Sequence, residues 1–291
     1  MKQFNYFRPQ HIGEAINLLE QLPEVRILAG GTDIVIHLRE GKATPQNVVD
    51  ISGLAELTEI DICENEVSLG SMVTFTQVME HPLIKEEFAC LSDACAAAGS
   101  PQIRNQGTIG GNIVNASPAA DSVPALVALG ARIVIKSARG TEEAKVEDIL
   151  TGVGRHSLAK NQLLISIKIP RVVDRQISSF TKLARRNALT IARMSMAAVL
   201  RLGETGIITR AGISLGAVAP NPFPLTGVEE YLMGKGLTPE VIGTSVEKIA
   251  QVVQQKLGER ASAVYKNEAI RGIANQTFAK LQVKLEGGRI G

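Results

Sequence analysis

Two Gly-Gly pairs, each set between apolar and small polar residues, constrain the fold of this chain more than any other feature of its sequence. The first pair, Gly30 and Gly31, lies in the segment ILAGGTDI (27–34). It follows the apolar run VRILA, which is typical of a buried strand, and it precedes a Thr-Asp pair that can cap a short helix, IVIHLRE. Because glycine has no Cβ, the backbone can adopt positive φ there and its N–H groups can converge on an anion. The pattern predicts either an anion-binding turn or a tight strand-to-helix turn without a ligand.

The second pair repeats this chemistry at Thr108–Asn112, with the sequence TIGGN, at the end of a segment GSPQIRNQGTIGGN that is predicted to be an irregular loop. Two separate Gly-Gly turns flanked by hydrogen-bonding residues suit a long ligand with a diphosphate in its middle, although two independent turns remain an alternative. The dinucleotide motif GxGxxG at a strand end and the nucleotide loop GxxxxGK followed by Ser or Thr are both absent. A Rossmann or P-loop enzyme is therefore disfavoured.

The rest of the chain alternates helical and strand patterns, which predicts a mixed α/β chain of the α+β class in about two domains at ~150 residues each. Residues 76–98 are predicted to be helical, and the strand pattern LLISIKIP ends the first domain at Pro170. After the polar join RVVDRQ come three predicted strands, the last two joined by a GETG hairpin turn, and then two amphipathic helices. We predict domains at 1–175 and 176–291.

Composition excludes several classes of function. The 31 Lys and Arg residues nearly balance the 29 Asp and Glu residues, and aromatic residues make up 3%, so nucleic acid is not a predicted partner. No apolar run approaches the ~18 residues of a membrane span, which predicts a cytoplasmic protein without a membrane partner. Three cysteines and four scattered histidines have no metal-ligand spacing, so no metal site is predicted.

Five segments carry a family resemblance, in the same order and across essentially the whole chain: ILAGGTDI, TIGGNI, NASPAADS, LLISIKIP and FTKLARR. With them the chain resembles the FAD-binding subunit or domain of the xanthine dehydrogenase family of molybdenum hydroxylases. The resemblance implies the FAD-binding fold of the vanillyl-alcohol oxidase type (PCMH-type), followed by a smaller C-terminal domain of sheet plus helices. It departs from some relatives at Ala98, where they have an aromatic residue that can stack on the cofactor.

The resemblance also implies contacts with FAD. Around the diphosphate and ribityl chain it places Ile27, Leu28, Ala29, Gly30, Gly31, Thr32, Asp33 and Ile34. Along the flavin it places Thr108, Ile109, Gly110, Gly111 and Asn112. Asp121 would reach the adenosine part, Leu164 would pack on the cofactor, and Lys182 would be a cationic donor near it. The sequence alone leaves an alternative for each of these three residues. Asp121 could cap a helix, Leu164 could be an ordinary core residue of a strand, and Lys182 could lie with its neighbouring arginines on a solvated face.

The function implied by this resemblance is electron transfer within a three-subunit complex, or a dimer of such trimers. A large subunit would hold the molybdenum cofactor and a small subunit two [2Fe–2S] clusters, while this chain would pass electrons through FAD to NAD or another acceptor. Three cysteines are too few for those clusters, and no catalytic residue is assigned to the chain. Two alternatives stay open: a stand-alone FAD-dependent oxidoreductase on the same fold and a non-catalytic assembly module. Flavin absorbance would separate the module from both enzymes.

Overall fold

The computed structural model describes residues 3–172, 175–186 and 190–287, and it confirms the predicted α+β class. The strands are β1 (Asn5–Phe7), β2 (Val25–Leu28), β3 (Asn47–Asp50), β4 (Ile60–Ile62), β5 (Glu66–Gly70), β6 (Arg132–Ser137), β7 (Gly140–Lys145), β8 (Leu150–Gly152), β9 (Arg155–His156), β10 (Leu163–Pro170), β11 (Gln176–Leu183), β12 (Met194–Leu202), β13 (Ile208–Gly216) and β14 (Phe223–Pro224). The helices are α1 (Ile12–Gln21), α2 (Ile34–Arg39), α3 (Phe75–Glu80), α4 (Pro82–Glu87), α5 (Ala89–Ala96), α6 (Pro101–Gln106), α7 (Ile109–Val114), α8 (Ser122–Leu129), α9 (Thr226–Leu232), α10 (Pro239–Leu257) and α11 (Ala263–Gly287).

Strands β1, β2 and β3 form a small parallel sheet in the order β1-β3-β2. Its central strand β3, with the sequence NVVD, is buried along its whole length, as expected for a strand with neighbours on both sides. One face of α1 supplies Ala15, Ile16 and Leu19 to the core beneath this sheet. The turn after β2 carries the first Gly-Gly pair, so the small sheet determines where that pair lies.

A five-stranded antiparallel sheet in the order β4-β5-β10-β6-β7 forms the second layer. The predicted hairpin around the polar residues ENE is confirmed as β4 and β5. The apolar side of the sheet packs with the short helices α3, α5 and α8 in the largest hydrophobic core. The second Gly-Gly pair lies in α7, which is part of this core through Ile109 and Ile113.

The C-terminal sheet has the order β11-β12-β13-β14, and its first three strands and their hairpin agree with the sequence prediction. Successive side chains of β12 point to opposite faces: Met196 and Leu200 join a core with α10 and α11, whereas Ala197 and Val199 join the core of the five-stranded sheet. On that second face α8 lies so close that a Cβ on Gly212 would be 2.0 Å from the carbonyl oxygen of Ala128. Both faces of this sheet are therefore covered.

Two predictions about local structure are wrong. The single helix predicted over 76–98 is three short helices, because Pro82 has no N–H to continue α3 and instead begins α4. The irregular loop predicted over 99–112 contains all of α6 and the first residues of α7. Each helix begins after a residue, Ser100 or Thr108, whose hydroxyl accepts a backbone N–H of the first helical turn. The predicted join RVVDRQ includes residues 173 and 174, which lie outside the described residues.

Candidate functional site

The first Gly-Gly pair forms the predicted turn between β2 and α2, and its two glycines are needed for different reasons. Gly31 has φ +76°, a left-handed conformation that side chains with a Cβ rarely adopt. Gly30 lies against the chain that joins α6 to α7, where a Cβ would be 1.7 Å from the carbonyl oxygen of Gln106. The two glycine-containing segments predicted from the sequence are therefore in direct contact.

The turn also presents backbone donors. Within the described part of the chain, the N–H groups of Gly31, Thr32 and Asp33 have no hydrogen-bond acceptor. Asp33 occupies the position before α2, but its carboxylate accepts no N–H from that helix, so the capping role predicted for it is wrong. Adjacent N–H groups without acceptors at a positive-φ glycine are what the binding of an anion requires.

The second Gly-Gly pair is not a turn, in contrast to the prediction. Thr108 precedes α7, its hydroxyl accepts the N–H of Gly111 at 3.1 Å, and both glycines lie in the first turn of that helix. The N–H groups of Ile109 and Gly110 donate to the carbonyl oxygens of Val73 and Ser71. The donors of this segment are thus already used by the protein, and the anion-binding arrangement of the first pair is not repeated.

Gly110 is required here by packing. A Cβ at this position would lie 2.6 Å from Cβ of Ser71, a residue whose own N–H donates to the carbonyl oxygen of Ile165 in β10. Leu164, the residue before Ile165, is buried in the main core opposite Ile135 of β6. The segment after Thr108 is therefore bonded to residues 71–73, and Ser71 is bonded in turn to β10, one residue from Leu164.

Asn112 has a partner that the sequence reasoning missed. The fully buried hydroxyl of Ser122, at the start of α8, donates to Oδ1 of Asn112 at 2.7 Å. Because the amide oxygen is engaged in this way, the Asn112 amide NH₂ is directed to other acceptors. The only sequence signal for this partner is that Ser122 directly follows Asp121, a residue already assigned to the site.

Asp121 and Lys182 form a buried ion pair. Lys182 Nζ lies 2.7 Å from Asp121 Oδ2, and the two side chains are 11% and 8% exposed. Lys182 also donates to the carbonyl oxygen of Ala97, at the end of α5, at 2.9 Å. The pair joins β11 to the end of α5 and the start of α8. Lys182 therefore does not lie on a solvated face, which was the alternative left open by the sequence.

The environment of Asp121 is electrostatically unusual. Burial raises the pKa of its carboxyl to about 6, although the neighbouring Lys182 ammonium lowers it. Its other oxygen, Oδ1, is buried and has no hydrogen-bond partner in the part of the chain that the structure describes. Asp121 stands at the position before α8 but does not cap that helix, so the structure does not support the alternative in which it is only a cap. A buried acceptor without a donor is a place where a ligand donor would be stabilising.

The structure gives Ala98 no ligand-facing role. Its side chain is buried in the main core, and its carbonyl oxygen accepts a hydrogen bond from the guanidinium of Arg104. The residues at the site that the sequence reasoning did not single out are Ser71, Ser122 and, through its backbone carbonyl, Gln106. No helix within residues 3–172, 175–186 and 190–287 is long and apolar enough to span a membrane.

Comparisons with known proteins agree with this architecture. Residues 2–172 match the family described as the FAD binding domain in molybdopterin dehydrogenase, and residues 178–281 match the CO dehydrogenase flavoprotein C-terminal domain. The chain is 36% identical to the nicotinate dehydrogenase FAD-subunit of Eubacterium barkeri, over 99% of each chain. It is 30% identical to the xanthine dehydrogenase FAD-binding subunit of Escherichia coli O157:H7, over 98% of each chain.

Among solved structures, the chain is similar to carbon monoxide dehydrogenase from Hydrogenophaga pseudoflava, with a TM-score of 0.89 and 25% identity over 97% of this chain and 98% of that one. These relatives are subunits of dehydrogenases, and FAD, the cofactor predicted from the sequence, is the cofactor of the matched family. The chain belongs to the family of FAD-binding oxidoreductase subunits of the molybdenum hydroxylases, to which xanthine dehydrogenase and carbon monoxide dehydrogenase belong.

Proposed function

We propose that this chain carries electrons from the [2Fe–2S] clusters of a small partner subunit, through FAD, to NAD or another acceptor. A large partner subunit with the molybdenum cofactor would hydroxylate the substrate, in a heterotrimer or a dimer of heterotrimers. Bound FAD would supply the redox chemistry, accepting and giving up two electrons. The role of this chain is to bind the cofactor, to exclude water from it and to position it between donor and acceptor.

The observation that carries the proposal is that polar groups without partners among the described residues occur both at the Gly31 turn, which contacts the segment at Gln106, and at Asp121, beside the Ser122–Asn112 hydrogen bond. Among residues 3–172, 175–186 and 190–287, the backbone donors of the Gly31 turn have no acceptors, which suits a diphosphate, and the buried oxygen Asp121 Oδ1 has no donor, which suits a sugar hydroxyl. FAD contains both groups in one molecule. The residues present therefore fit the cofactor of the family.

We accordingly propose the cofactor contacts in two groups. Residues 27–34 would surround the diphosphate and ribityl chain, with the N–H groups of the turn as donors. Residues 108–112 would run along the flavin mainly through the Asn112 amide, because the first N–H groups of α7 are already bonded. Lys182, held in place by Asp121, would be the cationic donor, and Leu164 would contribute apolar packing.

We also propose a division into domains at 1–175 and 176–291. The change of core supports it, since all the described residues of the core shared with α10 and α11 come after residue 176, beginning with Ile177. In this arrangement Lys182 belongs to the second domain and Asp121 to the first, so the proposed cofactor site lies where the two domains meet.

Purification of the native complex tests the assembly. We expect FAD, iron and molybdenum to co-purify with this chain in fixed ratios, with FAD released by acid or heat. Recovery of this chain in a fully active hydroxylase that contains no iron and no molybdenum would contradict the proposal. If the chain is recovered with flavin but without partner subunits, the result would favour the stand-alone oxidoreductase. If it is recovered without flavin, the result would favour the assembly module.

A further inference from the structure

One end of the C-terminal sheet faces the proposed cofactor site. Lys182 on β11 pairs across the sheet with Ser195 on β12, and Ser195 pairs with Gly216 on β13. The next residue, Ala217, donates its N–H to the carbonyl oxygen of Pro118, in the loop that leads to Asp121. This end of the sheet is thus bonded directly to the segment that holds the buried ion pair.

Three cations surround the same end of the sheet. Arg193 lies two residues before Ser195, and its backbone N–H bonds to Leu183 at the end of β11. Lys266, in the first turn of α11, donates its ammonium to the carbonyl oxygen of Ala217. Burial lowers the pKa of Lys266, and the positive charges of Arg260 and Arg193 lower it further. Arg260 lies just before α11, with its carbonyl oxygen accepting the N–H of Ala263, and Arg193 lies against the Tyr265 ring in the first turn of that helix, so the three cations stand around the start of α11.

These charges are not neutralised by the protein. Within the described ranges, the guanidinium groups of Arg193 and Arg260 form no ion pair, and Lys266 bonds only to a neutral carbonyl. By contrast, Arg171 and Arg271 in the same chain are both paired with glutamates. Unpaired cations gathered at one place favour an anionic ligand.

The cations border exposed apolar side chains. The Arg193 guanidinium lies 5.6 Å from the centre of the Tyr265 ring, which is nevertheless 48% exposed. Val264 and Ile191 are 82% and 79% exposed. An exposed aromatic ring next to unpaired cations suits a ligand that combines a planar base with phosphate groups.

We infer that Arg193, Arg260, Tyr265 and Lys266, here called the cationic patch, bind a pyridine dinucleotide, with its diphosphate among the three cations and one of its bases against Tyr265. The inference rests on the proposed function, since it specifies where the acceptor reaches this chain. The three cations of the patch attract the two negative charges of the diphosphate, and the place of the patch at the Lys182 end of the sheet brings the ligand beside the proposed flavin site.

Anaerobic reduction of the FAD-loaded full chain by NADH tests the inference. NADH gives a hydride, and therefore two electrons, to FAD, which takes up one further proton, and NAD⁺ is released. The variant Arg260→Glu reverses an exposed charge that forms no side-chain hydrogen bond or ion pair with the described residues, and Lys85→Glu reverses an exposed charge on α4 as a matched control. The apparent Kd for NADH, the limiting rate of FAD reduction and the FAD content are measured at two salt concentrations.

We expect Arg260→Glu to raise the apparent Kd about tenfold or more at low salt, with less effect at high salt, while the limiting rate and FAD content stay at the wild-type values. Lys85→Glu should leave all three quantities unchanged. Equal Kd values for both variants and the wild type would overturn the cationic patch alone. A wild-type chain that holds FAD but is not reduced by NADH would overturn both the patch and NAD as the acceptor, and a chain that does not bind FAD would contradict the proposed function itself.

Discussion

At the scale of single residues, the Asp121–Lys182 pair carries the most consequence, because it is buried and one of its oxygens lacks a donor. The pKa of Asp121 is about 6 in the folded chain, above the ~3.9 of a free aspartate, so between those values the folded state holds a proton that the unfolded chain releases. Stability should therefore fall as the pH rises through this window, by about 3 kcal/mol.

This pH dependence is measurable by urea unfolding of the FAD-free chain at pH 4, 5, 6 and 7. We expect the stability of the wild type to fall from pH 4 to pH 7 relative to Asp121→Asn, which has no carboxyl to ionise there. Asp61→Asn, on the exposed strand β4, controls for the loss of an acidic side chain and should follow the wild type. Parallel curves for the wild type and Asp121→Asn would show that Asp121 does not titrate in this window.

Removing the lysine should be costly at neutral pH. Lys182→Met keeps the length of the side chain but leaves the Asp121 carboxylate buried without its counter-charge, a change that costs about 3–5 kcal/mol in buried pairs. The loss should be smaller at pH 5, where the carboxyl can stay protonated, and the affinity for FAD should also fall. Lys160→Met, in an exposed turn, is the matched control, and an identical small effect of the two variants at pH 7 would mean that Lys182 has no special role.

At the scale of elements, the first glycine turn was predictable and the second was not. The apolar strand, the glycines and the following helix around Gly31 agree with the structure, because local backbone freedom decides that turn. Around Thr108 the two glycines are poor helix formers, and the propensity of the segment favours a loop. The bonds from Ile109 and Gly110 to the turn at 71–73 override that propensity, and they come from tertiary contacts that no local pattern contains.

The contact between the two glycine segments gives a prediction at this scale. In Gly30→Ala the new Cβ would meet the backbone oxygen of Gln106 at 1.7 Å, and because backbone cannot swing aside, the turn and the α6–α7 connection must separate. We expect a loss of about 1–3 kcal/mol in stability together with weaker FAD binding. Gly13→Ala, in α1 with nothing within 4 Å of the new Cβ, should bind FAD normally and be at least as stable as the wild type. Normal FAD affinity in both variants would argue against this contact as part of the site.

At the scale of the whole molecule, the contact between the C-terminal sheet and the helices packed against it could not be predicted from the sequence. The α+β class and the strands of the C-terminal sheet follow from periodicity, since each lies in one continuous segment. Asp121 and Lys182 are 61 residues apart, and only the packing of α8 against the sheet brings them to 2.7 Å. The sequence could identify these residues through resemblance, but not their contact, their burial or the unpaired oxygen.

The whole chain should transfer electrons but not hydroxylate. With FAD bound and no partner subunit present, it should be reduced by NADH and reoxidised by an artificial dye, as followed by flavin absorbance under anaerobic conditions. It should leave purines and nicotinate unchanged, because its three cysteines cannot hold the clusters that link FAD to a molybdenum site. Hydroxylation of either substrate by the lone polypeptide would contradict this division of labour.

The central claim is that FAD lies where the first glycine turn, the Asn112 helix and the Asp121–Lys182 pair meet. Backbone hydrogen exchange of the full chain, compared with and without FAD, tests it most directly. We predict that FAD slows exchange in residues 27–34, 107–121 and 181–183, and most strongly at Gly31, Thr32 and Asp33, whose N–H groups have no acceptor among the described residues. Unchanged exchange in these three segments, with protection confined to another part of the chain, would contradict the account.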